Sequence, residues 1–189
     1  MKTLSKIVLV AVLGTSSILC ASSLSAAESV APAAHAKNWT PPAYKINAQV
    51  LVDEIMAKHP ELISVTFHGV PVGAAPKTYT MFAGASMFPG SYQDRIGNPD
   101  DPDDIMIIET GITILDSRWH RTKDVVKKYV PMLPLRDAAG ENIGLLVLAF
   151  KNPANSGKSD LYFLRAATEI RDGLQKKIPN LASLFDPAK

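Results

Sequence analysis

Cysteine is nearly missing from this sequence: Cys20 is the only one among 189 residues. A disulfide framework needs pairs and is excluded, so stability must come from an ordinary apolar core. An excess of one charge is missing too. Twenty Lys and Arg face 18 Asp and Glu, which leaves no electrostatic footprint for nucleic acid or an anionic membrane. Histidine is sparse. His35, His59, His68 and His120 share no ligand spacing, because none stands three or four residues from another His or a Cys. The acidic run Asp100, Asp101, Asp103 and Asp104 lacks the Gly and the later Glu of a calcium loop. A nucleophile elbow is also lacking, since Gly84-Ala85-Ser86-Met87-Phe88 has no second Gly and does not lead into a helix. No internal repeat is present, and no metal, cofactor or catalytic constellation is expected.

What is present begins with a leader. Lys2 and Lys6 form a positive flank, Ile7 to Leu13 an apolar run, and the small residues Ser22, Ser23, Ser25, Ala26 and Ala27 follow. Together these are the parts of a cleavable secretory signal over residues 1–27. Ser25 and Ala27 fit the −3 and −1 positions for a cut before Glu28, and Ala34-His35-Ala36 offers a second site. The run is too short and too polar after Leu19 to span a bilayer. Leu19 rather than a small residue precedes Cys20, which fits a lipidation site poorly. Loss of the leader removes two basic residues and the one Cys, leaving a near-neutral chain with no thiol nucleophile. The expected location is the periplasm or the exterior, without an integral membrane segment after cleavage.

Residues 28–43 are rich in Ala and Pro and read as a linker. Residues 44–189 suffice for one core and hardly for two, so they form one domain. Tyr44 to His59 has Ala48, Leu51, Val52 and Ile55 at helical steps and stops at Pro60. Leu62 to Val70 alternates as a strand, with Ile63, Val65 and Phe67 on one side and Ser64, Thr66 and His68 on the other. Lys77 to Ser86 reads as a second strand, and Met87 to Asp101 as a long loop. Asp101-Pro102-Asp103-Asp104 caps a short helix that Gly111 ends. Ile112 to Trp119 and Val125 to Arg136 follow as strands. Pro131 and Pro134 remove ladder hydrogen bonds from the latter, which should be bulged or short. Asp137-Ala138-Ala139-Gly140 is a tight turn. Ile143 to Phe150 is apolar on both faces, as a central strand is. The last helix starts at Ser159 and buries Leu161, Leu164, Ala167, Ile170, Leu174 and Ile178. After Pro179, Leu181, Leu184 and Phe185 should fold back on the domain. Hairpins on both sides of a short helix place the chain in the α+β class, with an antiparallel sheet flanked by helices.

With these elements in this order, the chain resembles the extracytoplasmic PAS-like sensor domains, specifically single Cache domains. The match lies in Val130 to Phe150, where a strand ends in the Asp-x-x-Gly turn and re-enters through Ile143-Gly144. It lies also in Arg95-Ile96-Gly97 followed by the acid-capped helix. The resemblance implies a five-stranded sheet in the order 2-1-5-4-3. It further implies a pocket between the sheet and the loop and short helix before the third strand, which takes small organic molecules, often carboxylates. This chain departs from the pattern in having no second hydrophobic span and no output domain, so either a signal would pass to a membrane-bound partner or the protein only binds.

Six residues are candidates for that pocket. His68, with Thr66 on the same face, is either a hydrogen-bonding wall or a strand-end histidine near solvent. Arg95 could hold a carboxylate in a two-pronged pair, or lie solvated in its loop. Tyr92, Ser86 and Phe82 offer hydroxyls and a ring. Three readings stand: an exported ligand-binding sensor domain, an interaction module without a small-molecule pocket, and a small exported hydrolase.

Overall fold

The computed structural model describes residues 36–88, 92–117, 126–154 and 156–188. The expected signal peptide, residues 28–35 of the expected linker and the segment 118–125 between the third and fourth strands lie outside the described residues. The elements are α1 (Asn47–Lys58), β1 (Leu62–Gly69), β2 (Thr80–Ser86), α2 (Pro102–Thr110), β3 (Ile114–Asp116), β4 (Lys128–Arg136), β5 (Asn142–Lys151) and α3 (Asp160–Gln175). Among the described residues no helix is long and apolar enough to cross a membrane.

Each helix has a local cause. In α1, Ala48, Val52 and Ile55 are buried at steps of four and three, the period that puts them on one face. Asp101 precedes α2, Pro102 takes its first position and Gly111 ends it in the left-handed conformation at φ +70°, as cap and stop residues do. The Ser159 hydroxyl accepts the Tyr162 N–H at 3.3 Å at the start of α3, satisfying one of the free donors of the first turn.

The sheet is antiparallel throughout in the order β2-β1-β5-β4-β3, the order that the resemblance implied. Central β5 is covered on both faces. Leu146, Leu148 and Phe150 join Val52, Ile55, Phe163 and Ala167 in a large core beneath α1 and α3. On the opposite face Leu145 and Ala149 join Ile107 of α2, Ile63, Val130 and Met132 in a smaller one. Tyr129 stacks on Phe163 with ring centroids 4.4 Å apart and planes 9° from parallel. Each fully buried aliphatic or aromatic side chain contributes roughly 1.5–3 kcal/mol.

Four details differ from the sequence reading. Ile63 does not share a face with Val65 and Phe67: pairing with β5 is irregular between Leu62 and Ser64, and Ile63 turns to the smaller core. Leu161 is exposed and Leu164 only half-buried, while Phe163 takes the stripe of α3. The prolines of β4 neither shorten nor shift it. Pro131 and Pro134 keep register with Leu115 and Leu145, and the one irregular step in the pairing with β5 lies at Leu135/Arg136. The second, third and fourth strands start at Thr80, Ile114 and Lys128 rather than at Lys77, Ile112 and Val125, and the third ends at Asp116.

Both ends of the described chain rest on the domain. The Asn38 N–H donates to the Gly97 carbonyl at 2.9 Å, and Trp39 meets Phe185 edge-on at 6.1 Å. Leu184 is buried, and the Ala188 N–H donates to Lys45 O at 2.8 Å.

Candidate functional site

The face of the sheet under α2 is only partly filled with apolar side chains. Alternation along β1 sends Ser64, Thr66 and His68 to that face, all less than a tenth exposed. Beside them lies a cavity of about 170 Å³, walled also by Met81, Tyr92, Arg95, Lys128 and the first turn of α2.

The loop before α2 is brought to this face by backbone bonds to the start of β2. Gly97 N–H donates to Met81 O at 2.8 Å, Met81 N–H to Asn98 O at 3.3 Å, and Asp100 N–H to Tyr79 O at 3.2 Å. Gly97 has φ +88°, and a Cβ there would strike the Trp39 carbonyl, so only glycine fits. The result is that Asp100, 32 residues beyond His68, meets its ring. His68 Nδ1 lies 2.7 Å from Asp100 Oδ1 and 3.9 Å from Asp104 Oδ2. Its Nε2 lies 2.7 Å from Thr66 Oγ1. Alongside the His68 backbone, β5 passes so close that a Cβ on Gly144 would strike the His68 carbonyl. The Ile-Gly re-entry seen in the sequence is thus what lets β5 support this histidine.

The electrostatics are those of buried, unevenly compensated charge. Burial works to lower the His68 pKa, but the charge and hydrogen bond of Asp100, with Asp104 behind it, outweigh burial and raise it above the ordinary value. Burial, together with the neighbouring Asp100 and Asp103, pushes the Asp104 carboxyl up despite the opposing pull of His68. Asp100 is 1% exposed in its side chain, and its second oxygen, Oδ2, is buried without a hydrogen-bond partner. At the mouth, the Arg95 guanidinium lies 5.2 Å from the Tyr92 ring centroid, and the Ser64 hydroxyl donates to the Tyr92 hydroxyl at 3.2 Å.

Thr66, His68, Tyr92 and Arg95, expected at a pocket, therefore do line one cavity. Phe82 does not. Counting back from Ser86 and Gly84, it should share their face, but β1–β2 pairing slips between Phe67/Ala83 and His68/Met81. Phe82 is the extra residue of that bulge. It turns into the large core against Phe67 and Phe185, and Met81 takes the cavity face. Ser86 pairs with Ser64 at the end of β2, outside the cavity lining, and its hydroxyl accepts the Phe88 N–H at 3.1 Å. Sequence reasoning missed Asp100 and Asp104 as site residues. Both belong to the acidic run assigned to helix capping, and Asp104 does accept the Asp101 N–H at 3.4 Å. Nothing local distinguished the capping acids from those turned inward.

A second concavity of about 290 Å³ lies between α1 and α3, lined by Leu51, Ile55, Ala166 and Ile170 and crossed by the Lys177–Glu54 ion pair at 2.7 Å. Its polar rim also carries Lys58, Glu169 and the His59–Glu61 pair, 2.9 Å apart and about one-third exposed.

No protein-family model matches the chain, and no curated protein matches it in sequence. Among solved structures it is similar to the GAF domain/HD domain protein from Geobacter sulfurreducens, with 13% identity over 74% of this chain and 94% of that one and a TM-score of 0.46. It is similar also to the GAF domain of an Acinetobacter phosphoenolpyruvate-protein phosphotransferase, with 10% identity over 69% and 80% of the two chains and a TM-score of 0.42. A further likeness is to the inducer-binding domain of the Acinetobacter transcription factor PobR, in complex with 3-hydroxybenzoic acid, with 13% identity over 71% and 96% and a TM-score of 0.38.

Proposed function

We propose that this chain is an exported ligand-binding domain of the sensor type, whose cavity takes a small organic carboxylate and whose occupancy is reported to a membrane partner. The observation that carries the reading is the gathering of Thr66, His68, Tyr92 and Arg95 around one cavity on the sheet face beneath α2. The volume of about 170 Å³ equals that of roughly half a dozen waters at ~30 Å³ each. That suits a short-chain acid, well below the size of a drug-like ligand. Arg95 stands at the mouth with no ion-pair partner among the described residues, and its planar fork fits a carboxylate. Export is supported by the Lys2/Lys6 flank, the apolar run and the small-residue cut site.

The line Thr66 Oγ1, His68, Asp100 has the hydroxyl–imidazole–carboxylate order of a nucleophilic hydrolase. Binding is nevertheless the better reading. Thr66 sits mid-strand between Gly84 and Val147, where neighbouring N–H groups serve the sheet and cannot form an oxyanion hole.

The test is a thermal-shift screen of short carboxylates, amino acids and amines, followed by calorimetry. A hydrogen bond to a charged group contributes roughly 1.5–3 kcal/mol, so Arg95→Ala should weaken carboxylate binding about ten- to a hundred-fold. Arg95→Lys should restore part of it. Carboxylate binding untouched by Arg95→Ala would remove Arg95 from the site, and no hit at all would favour the interaction module. N-terminal sequencing of extracytoplasmic protein should begin near Glu28 or Lys37, and an intact Met1 would refute export.

A further inference from the structure

We propose that His68, Asp100 and Asp104 bind a divalent first-row transition cation beside the cavity, whose wall His68 and Asp104 form. The inference goes beyond the carboxylate reading and does not depend on it. One ligand atom from each of the three lies within 4.8 Å of the other two. A cation bonded at ~2.0–2.2 Å to imidazole and carboxylate holds such atoms roughly 3 Å apart. The measured spacings of 2.7 Å and 3.9 Å from Nδ1 to the two carboxylates bracket that value.

Three independent features point the same way. The first is the Asp100 carboxylate. Its side chain is 1% exposed, and its Oδ2 is buried with no hydrogen-bond partner. A buried carboxylate without full compensation costs several kcal/mol. The His68 ring satisfies Oδ1 alone, and one imidazolium cannot neutralise both Asp100 and Asp104. A dication within reach of both carboxylates supplies the missing charge and can take the orphan oxygen.

The second feature is the ring itself. Ligating imidazoles almost always donate their other N–H to a fixed acceptor, which sets tautomer and orientation. Here Nε2 lies 2.7 Å from the Thr66 hydroxyl oxygen. The Thr66 hydroxyl can accept from Nε2, so a cation that displaces the Nδ1 proton finds the ring already held with Nδ1 toward the carboxylates.

The third feature is rigidity. The ligands come from β1, from a loop hydrogen-bonded along β2, and from the first turn of α2. Close contact of Gly144 with the His68 carbonyl fixes the strand below. Sites held on such elements keep their geometry without the ion.

One imidazole with two carboxylates selects zinc or manganese over calcium or magnesium, which take oxygen ligands. Three protein ligands leave at least one position open, toward the cavity, as in zinc sites that exchange water for a ligand. The sequence reading excluded a metal because it looked for local spacing. Asp100 and Asp104 stand four residues apart, but His68 lies 32 residues before Asp100 and only the fold joins it to them.

The experiment is titration of ZnCl2 and MnCl2, with CaCl2 and MgCl2 for comparison, into the full-length chain as isolated after EDTA treatment and dialysis, without organic ligand. We expect one equivalent of zinc or manganese, a raised melting temperature, and weaker calcium and magnesium binding. Removing an outer partner of a metal ligand costs 10–100-fold. Asp100→Asn and Asp104→Asn, which remove direct ligands, should each weaken binding roughly a hundred-fold or more. His59→Ala, at a separate surface histidine, should not. Should Asp100→Asn fail to fold, Asp104→Asn and the visible absorption of the cobalt-loaded wild type, sensitive to imidazole and carboxylate ligation, decide the matter. Absence of stoichiometric binding in the wild type overturns the proposal. Unchanged affinity in a folded Asp104→Asn variant also overturns it. Carboxylate binding without metal binding would refute this inference and leave the proposed function standing. The reverse would do the opposite.

Discussion

Two neighbouring residues of β5 should respond to the same substitution in opposite ways. Leu146 is fully buried in the core beneath α1 and α3. Val147, on the other face, is half-buried and forms part of the cavity wall. Leu146→Ala deletes three carbons, about 2.4 kcal/mol of transfer at ~0.8 kcal/mol each. The void left beneath two helices raises the cost to about 3–4 kcal/mol. For a domain of this size that is a drop of about 10 °C in melting temperature. Leu146→Asp adds the penalty of a buried charge, several kcal/mol more, which consumes most of an ordinary stability of about 5–15 kcal/mol. Val147→Ala removes two carbons that are only partly covered, worth about 1 kcal/mol or less. Val147→Asp places its carboxylate in a cavity that reaches water, so the variant should fold, though less stably because of the nearby Asp104. Urea unfolding followed by far-UV circular dichroism measures all four, with the slope checked for unchanged two-state behaviour. Equal losses at Leu146 and Val147, or an unfolded Val147→Asp, would mean that β5 is covered alike on both faces and that the cavity is not where it is described.

Two further outcomes are expected. Gly144→Ala must push its methyl against the His68 carbonyl; overpacking of this kind costs about 1–3 kcal/mol, so thermal melts should show loss of stability and calorimetry a loss of cavity binding, both absent from Gly173→Ala, where space is open. Burial, with a hydrogen bond to Asp160 second, pushes the Tyr129 phenol up to about 12, so the folded chain holds this proton between pH 10 and 12 after the unfolded chain has lost it. Stability from this residue is then complete below pH 10 and falls as pH rises toward 12, and Tyr129→Phe, followed by melts across that range, should flatten the decline.

The local structure of this protein was largely legible in its residues because the causes are local. An Asp-Pro pair with two more acids starts a helix wherever it stands, and a glycine in the left-handed conformation stops it. A run as apolar as Ile143–Phe150 requires cover on both faces and so had to be central. Alternation in β1 was enough to set Thr66 and His68 on one side.

Faces and partners were decided elsewhere. A single extra residue in β2 rotates Phe82 from cavity to core, and no pattern within Met81–Phe82–Ala83 announces the slip, since all three are apolar. Ile63 changes face through a like irregularity against β5. Nothing in the run Asp100, Asp101, Asp103 and Asp104 marks which acids turn toward His68: Asp104 does so while also accepting the Asp101 N–H. Only when the loop is hydrogen-bonded to the start of β2 does Asp100 reach the ring of His68 and lose its water. Capping and alternation act over a few residues, and the sequence shows them directly. Burial of a charge depends on what the rest of the chain places around it, which only the tertiary structure decides.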